Sequence, residues 1–137
     1  MTSSRRRLGK GDYQSLADFR YVLRQFLSFS EEAATRTGLA PQQHQALLAI
    51  KGAGGKMSIG DLAQRLLVRP HSAVGLVDRL VDAKLLQRDT DQKDRRRVLL
   101  SLTPTAESVL KSLTVAHRDE LNRVAPTLKS LLSELEE

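Results

Sequence analysis

The chain has 137 residues, of which 40% are apolar and 28% charged, a balance typical of one globular domain and unlike a disordered or membrane-embedded chain. Its 22 Lys and Arg residues outnumber its 16 Asp and Glu residues, and the net charge of +6 favours an anionic partner such as nucleic acid or a membrane surface. The chain contains no cysteine, so disulfides, thiolate metal sites and cysteine nucleophiles are excluded.

Residues 1–11 are basic and contain glycine, which predicts a flexible arm. Arg5, Arg6 and Arg7 make this arm either a solvated tail or a contact to a DNA backbone. No apolar run follows that would resemble a signal peptide, and no window approaches 18 uninterrupted apolar residues. We therefore expect a cytoplasmic protein with no membrane partner.

A long first helix is predicted from Asp12 to about Thr37. Apolar residues recur at helical spacing along one stripe, and a second apolar set lies beside it. The first stripe is Leu16, Phe19, Leu23, Phe26 and Ala33, and the second set is Tyr21, Val22 and Phe29. Because a surface helix of a monomer needs one apolar stripe, the second set predicts a partner on another side of this helix.

The starts of the next helices are marked by residues that favour helix N-termini. Pro41 predicts a second helix over about 41–51, Ser58 predicts the N-cap of a third helix with Asp61 at the acid position of a capping box, and Pro70 opens a fourth helix over 70–83. The residues of the fourth helix predicted to face inward are Ala73, Val74, Val77, Leu80 and Val81. Two short helices with a tight junction predict a helix-turn-helix.

Two strand-like runs, 85–88 and 97–102, flank a wholly polar segment and predict a β-hairpin, the wing of a winged helix-turn-helix. Thr103 and Pro104 then start a helix with a predicted break at Ala125–Pro126, after which a last helix runs to about Glu136. The predicted fold class is mostly α with a small β-hairpin wing.

Basic side chains concentrate around this hairpin, where segment 84–97 carries six basic and three acidic residues. An arginine on a narrow projecting loop fits the minor groove of DNA, although a solubilising turn would also explain the triplet. Asp94 is predicted to pair with a neighbouring arginine and so to hold the shape of the hairpin tip. The residues that we predict to contact DNA lie at the starts of the two short helices, near the end of the second of these helices and on the wing. They are Ser58, Arg69, His71, Ser72, Arg79, Arg95, Arg96 and Arg97.

Catalytic and metal-binding signatures are missing from the sequence. None of His44, His71 and His117 has a carboxylate or a second histidine at ligand spacing on its own helix, and there is no P-loop, GxSxG or HExxH motif. We expect no enzyme, no metal and no cofactor, and we expect His44 and His117 to be packing residues.

In its order of elements and in three motifs the chain resembles the MarR family of bacterial transcriptional regulators. The motifs are 58–66, 72–80 and 91–97, the last running into Leu102–Thr103–Pro104. The resemblance implies an intertwined homodimer with recognition helices in successive major grooves of a pseudo-palindrome and wing arginines in the minor groove. It makes Arg96 the groove-inserting residue and Asp94 its bracing acid.

The resemblance also implies a division of the chain and a ligand. Residues 12–137 would form a single winged-helix chain, with a DNA-binding lobe at about 42–102 and dimerisation helices at about 12–37 and 104–136. A small aromatic or phenolic effector would bind between these parts and release DNA, and the candidate pocket residues are Phe26, His44, Leu48 and Leu113. Ala73 and Gly75 depart from the longer polar residues common on the family's recognition helix, which predicts sparse base contacts.

Two classes of function remain open from the sequence. The first is a sequence-specific double-stranded DNA-binding regulator, a repressor acting as a homodimer. The second is a winged-helix module that binds protein or RNA and no operator. A basic amphipathic membrane binder is disfavoured by the acidic residues of the wing.

Overall fold

The computed structural model describes residues 6–136, which form five helices and one two-stranded antiparallel hairpin. The elements in chain order are α1 (Lys10–Arg36), α2 (Pro41–Gly52), α3 (Ile59–Leu66), α4 (Pro70–Asp82), β1 (Leu86–Thr90), β2 (Val98–Leu102) and α5 (Pro104–Leu135). The predicted class, mostly α with a β-hairpin wing, is confirmed. No helix among the described residues is long and apolar enough to span a membrane.

The chain divides into two compact units. Residues 33–114 form one of them, which we call the winged-helix unit, and residues 1–32 and 115–137 form the other, which we call the helical unit. Helices α1 and α5 each contribute residues to both units.

The winged-helix unit is built around one apolar core. Side chains from α2, α3, α4 and the hairpin meet there, and each contributes about 1.5–3 kcal/mol by leaving water. This core joins the helix-turn-helix and the wing into one body. Its largest fully buried members are Leu47, Ile50, Leu62, Val77, Leu80, Leu86 and Leu100.

The helix-turn-helix junction is as the sequence predicted. The Ser58 hydroxyl caps α3 by accepting from the Asp61 backbone N–H at 3.1 Å. The helix ends at Leu66, and its C-cap residue Leu67 has a left-handed backbone with φ 58° and ψ 41°. Pro70 is the first residue of α4 and Arg69 is its N-cap residue.

The inward face of α4 differs from the prediction at two positions, Val74 and Leu76. Ala73, Leu76, Val77 and Leu80 are buried, whereas Val74 is 43% exposed, so its predicted inward placement is wrong. At about 100° per residue, Val74 lies roughly a quarter turn to the side of Ala73 and Leu76 falls on the opposite flank, nearer to the core. The apolar pattern of this short helix allows either Val74 or Leu76 to face the core, and packing in the folded unit selects Leu76.

The hairpin pairs Leu86 with Leu102 and Thr90 with Val98. Met57 extends the hairpin by an antiparallel bridge to Leu100. The Met57 N–H donates to the Leu100 carbonyl oxygen at 3.1 Å, and the Leu100 N–H donates to the Met57 carbonyl oxygen at 2.7 Å. This bridge joins the start of the helix-turn-helix to the wing. A single bridge residue has no alternating pattern, so the sequence did not indicate it.

In the helical unit the segments of α1 and α5 run antiparallel. Ser15, near the start of α1, donates to the Glu134 carboxylate at 2.6 Å, while Ser30, near its end, lies 2.7 Å from His117 Nε2. The His117 ring also meets Phe26 and Phe29 edge-on, with ring centroids 5.8 Å and 5.5 Å away. His117 is therefore a packing and hydrogen-bonding residue of this unit.

Within the predicted basic arm, residues 6–11 make defined contacts, and the flexibility of the arm stays a prediction. Arg6 Nη2 lies 2.6 Å from the Asp12 carboxylate and 3.1 Å from the Glu134 carbonyl oxygen, and Asp12 also accepts from the Gly9 N–H at 2.9 Å. These bonds let α1 begin at Lys10, two residues earlier than predicted. The hydrogen bond from Arg6, followed by that from Gly9, lowers the pKa of Asp12. Arg5 and the rest of residues 1–5 lie outside the described residues.

The predicted break at Ala125–Pro126 is also wrong, because α5 continues through Pro126 to Leu135. A proline inside a helix loses one hydrogen bond and crowds the preceding turn, at a cost of about 3 kcal/mol. Beyond it, Leu131 is buried and Leu128 and Leu135 are half-buried. Their burial offsets that cost only if the helix continues.

Candidate nucleic-acid interface

The tip of the wing is a turn organised by two aspartates. Asp94 Oδ1 accepts from the Arg96 backbone N–H at 3.1 Å, and the Asp94 carbonyl accepts from the Arg97 N–H at 2.9 Å. Asp91 accepts from the Lys93 N–H through its carboxylate and donates its own N–H to the Arg97 carbonyl, both at 2.9 Å. Side chains of this kind hold a tight turn by imitating backbone hydrogen bonds.

Arg96 projects from this turn. Its side chain is 93% exposed, and its Nε lies 3.3 Å from Asp94 Oδ1. Such an exposed pair is worth less than about 1 kcal/mol, so it orients the guanidinium without holding it against competition from another anion. Arg96 thus carries an exposed positive charge at the tip of a narrow hairpin whose turn is held by hydrogen bonds.

The other two arginines of the triplet, Arg95 and Arg97, have different surroundings. Arg97 Nη2 lies 3.2 Å from Asp61 Oδ2, which ties the base of the wing to the first turn of α3. The Asp61 carboxylate therefore serves this pair and not the predicted capping box, of which the Ser58 half is formed. Arg95 is exposed. The sequence offered no signal for the Asp61–Arg97 pair, because its members are 36 positions apart.

A second ion pair joins the wing to α4. Arg88 of β1 bonds to Asp78 of α4, and Ser101 donates to Asp89 at 2.9 Å across the hairpin. Arg79 is exposed on α4 and its Nη1 lies close to Gly75, 3.6 Å from where a Cβ would stand. The wing is therefore fixed to both helices of the helix-turn-helix by side chains as well as by the core.

The start of α4 presents polar side chains to solvent. Arg69, His71 and Ser72 are all exposed, while Ser58 at the start of α3 is half-buried. Ala73 is fully buried in the core, so its lack of a hydrogen-bond donor removes nothing from the exposed face. Ala73 and Gly75 were the two residues that predicted sparse base contacts, and packing in the core explains the alanine.

The net charge of the chain resides in the winged-helix unit. Residues 33–114 contain 13 basic and 7 acidic residues, a surplus of six, whereas the remaining residues contain 9 of each. An excess of one sign on one compact unit produces a potential that attracts polyanions. The exposed arginines above lie in this unit.

The predicted effector-pocket residues have different surroundings. Phe26 belongs to the helical unit, where it contacts His117. In the winged-helix unit His44 and Leu113 are each 3% exposed and belong to the interior, while Leu48 is 45% exposed. Leu48 lines a cavity of about 570 Å³ whose other walls are Gln45, Ala49, Gly52, Ala53, Met57, Arg65 and Leu66.

The helix-turn-helix, the bridge at Met57 and the hairpin define a winged-helix protein, and solved structures share this fold. RV1404 from Mycobacterium tuberculosis has a TM-score of 0.72 and 24% identity, with 88% of this chain and 82% of that chain covered. A MarR variant from E. coli complexed with operator DNA has a TM-score of 0.65 and 20% identity, with 86% of this chain and 90% of that one covered.

Sequence comparison finds a family match over the winged-helix segment. Residues 37–97 match the model of the MarR family. The HTH-type transcriptional repressor MdtR of Bacillus subtilis (strain 168) is 33% identical over 72 residues, which cover 53% of this chain and 46% of that protein, so the match spans about half of the relative's length. The winged-helix segment of this chain is similar to the MarR family, and the resemblance that its motifs indicated is confirmed for this segment.

Proposed function

We propose that the protein is a transcriptional repressor that binds double-stranded DNA sequence-specifically, as a homodimer on a pseudo-palindromic operator. The observation that carries the proposal is Arg96, 93% exposed on a turn shaped by Asp94, in the unit that holds the whole net charge. The operator DNA bound by the E. coli MarR variant of the same fold supports it. Action on bacterial DNA would place the protein in the cytoplasm.

In this proposal the polar residues have separate roles. Arg69, His71 and Ser72 at the start of α4 enter the major groove, where Arg69 donates to guanine or to a phosphate. Arg95 and Arg96 on the wing approach the minor groove, whose negative potential is strongest over narrow A·T stretches. Arg79 lies near the backbone, and the capped start of α3 at Ser58 offers backbone N–H groups to a phosphate. Arg97 reaches the backbone next to its partner Asp61.

The homodimer would use the helical unit. Large apolar side chains of this unit are exposed along α1 and α5, more than a soluble surface needs. Joining two copies through them would present two recognition helices about 34–36 Å apart, one turn of DNA. These side chains are Tyr13, Leu16, Tyr21, Leu23 and Leu27 of α1 and Val115, Leu121 and Leu132 of α5.

The test is duplex binding by the full chain, using DNA selected from a random pool and fluorescence anisotropy as the readout. Arg96→Ala is expected to weaken binding at least about tenfold, the effect of one groove-inserted cation. Arg118→Ala, which removes an exposed arginine of the helical unit, is the matched control and should change little. If each chain meets about four phosphates, the logarithm of the affinity should fall with the logarithm of salt concentration with a slope of about −7.

Two results would count against the proposal. Equal duplex affinity of Arg96→Ala and the unaltered chain would favour the alternative of a winged-helix module for protein or RNA. A duplex affinity that is insensitive to salt would contradict contacts to phosphates.

We also propose that a small aromatic or phenolic effector releases the DNA. The support within the winged-helix unit is the cavity of about 570 Å³ beside Leu48, whose volume suits a small ligand and whose lining residues include Arg65. Adding phenolic carboxylates to the protein–duplex complex should lower its anisotropy, and Leu48→Lys should reduce that response. A complex that is unaffected by every member of such a panel would contradict the effector proposal.

A further inference from the structure

Leu67 combines two unfavourable features. Its backbone is left-handed, with φ 58° and ψ 41°, and its side chain is 93% exposed. Among the described residues, Lys84 with φ 61° is the other non-glycine residue with a positive φ. Lys84 is a surface cation to which exposure is natural, whereas Leu67 is a large apolar residue.

Two cap hydrogen bonds hold this backbone, from the Leu67 N–H to the Gln64 carbonyl at 3.1 Å and from the Val68 N–H to the Ala63 carbonyl at 3.0 Å, but neither needs a leucine side chain. The left-handed region crowds Cβ against the following carbonyl, and glycine or asparagine would adopt it with less strain. An exposed leucine also gains nothing from the hydrophobic effect. A lone exposed apolar residue is ordinary, but one held in a strained conformation points to a ligand contact.

The surroundings of Leu67 indicate what that ligand is. The stretch 62–77 contains Arg65 and Arg69 and no acidic residue, and α4 begins three residues after Leu67, at Pro70. Both arginines are exposed. A partner for this turn must therefore be anionic and must also offer an apolar group.

DNA has both properties, because the C5-methyl group of thymine is the apolar feature of the major groove beside the charged backbone. We propose that Leu67 is a specificity-determining residue that packs against a thymine methyl group at the edge of the major groove. This inference rests on the proposed function, since it needs the recognition helix to lie in that groove. It adds an apolar base contact made by the junction between the two helices.

The test uses an operator duplex selected by the unaltered chain, in which each thymine is replaced singly by deoxyuridine. The replacement removes one methyl group and leaves every hydrogen bond intact. For the unaltered chain we expect one thymine in each half-site where affinity falls about fourfold, the effect of one buried methyl group. Leu67→Asn should bind the unmodified duplex about tenfold more weakly and be indifferent to deoxyuridine at that position.

Three controls separate this contact from a folding defect. Leu67→Asn should melt at or above the temperature of the unaltered chain, because asparagine tolerates the left-handed backbone. Leu67→Met, which keeps an apolar side chain, should retain the sensitivity to deoxyuridine. Leu8→Asn removes a leucine that is 75% exposed outside the winged-helix unit and should leave duplex binding unchanged.

The outcomes distinguish this inference from the function on which it rests. If the unaltered chain binds no duplex from any pool, the proposed function fails and the thymine contact fails with it. If the unaltered chain binds but Leu67→Asn binds equally well, the contact alone is overturned, and a protein partner for Leu67 becomes the better account. A weaker Leu67→Asn that keeps the full deoxyuridine response also overturns it.

Discussion

The two units of the chain bury their apolar side chains to very different extents. The winged-helix unit encloses seven large side chains with less than 2% exposure, so it satisfies its hydrophobic residues within itself. In the described part of the helical unit, the buried residues are Leu131, Asp12 and Ser15, of which two are polar. Two paired helices cannot enclose a core by themselves, and their outer apolar faces remain in water.

The two units also differ in net charge. The helical unit carries equal numbers of basic and acidic residues, whereas the winged-helix unit has a surplus of six positive charges. A neutral surface with apolar stripes suits a second protein surface, and a charged surface around a packed core suits a polyanion. The proposed function would place self-association in the helical unit and DNA binding in the winged-helix unit, and four experiments test this division.

The largest expected effect is on self-association. Leu16 and Leu27 of α1 are each more than half exposed, so Leu16→Glu combined with Leu27→Glu should leave the single chain folded. Burying the two carboxylates in an apolar interface would cost several kcal/mol. We therefore expect the dissociation constant of the dimer, measured by sedimentation velocity, to rise at least about 100-fold. Leu48→Glu is the control in the other unit. A double variant that sediments as the unaltered chain does would remove the helical unit from the interface.

The next effect is on the core of the winged-helix unit. Leu47 is fully buried, and Leu47→Ala should lower the free energy of unfolding in urea by about 2–5 kcal/mol. Leu48→Ala is a matched control on the same helix, where 45% exposure limits the loss to less than about 1 kcal/mol. Similar losses for the two variants would show that α2 does not face the core as described.

A smaller effect of opposite sign is expected at the helix-turn-helix junction. Leu67→Asn relieves a left-handed leucine whose side chain contacts little, and it should raise the free energy of unfolding by about 0.5–1 kcal/mol. Thermal unfolding without DNA gives this quantity directly. A less stable variant would mean that the Leu67 side chain stabilises the free protein, and its role as a reserved DNA contact would lose its basis.

The smallest effect concerns pH and the helical unit. The Arg6 hydrogen bond lowers the pKa of Asp12 below its ordinary value of 3.8, so this contact stabilises the folded state above that value. The stabilisation is lost as the pH falls through the lowered pKa, where the carboxylate takes up a proton. The stability difference between the unaltered chain and Asp12→Asn should therefore be constant near neutral pH and shrink in acid. Asp18→Asn, on an exposed face of α1, is the control, and a difference that grows in acid would contradict the assignment.

The sequence predicted most of the fold because its helix starts are chemically marked. Pro41, Ser58, Pro70 and Pro104 each stand where the structure begins a helix or caps one. These signals are local, since they depend on a missing N–H or on a side chain that reaches three residues ahead. The hairpin was recognisable for a similar reason, as two β-rich runs around a polar tip.

The sequence failed where distant residues decide. The continuation of α5 through Pro126 depends on the burial of Leu131, and the start of α1 at Lys10 depends on Arg6 reaching Asp12. The partner of Arg97 is Asp61, from another element. Leu67 could have been noticed, because a tight junction between helices commonly needs glycine or asparagine in the left-handed region and this one has leucine.

The central claim is that two copies joined through their helical units place two arginine-tipped wings on one duplex. Sedimentation velocity of the full chain mixed with a labelled selected duplex tests it most directly, because it gives the number of chains in the complex. We predict two chains for each duplex over a wide range of protein concentration. A complex with one chain, or free duplex at every concentration, would contradict the account.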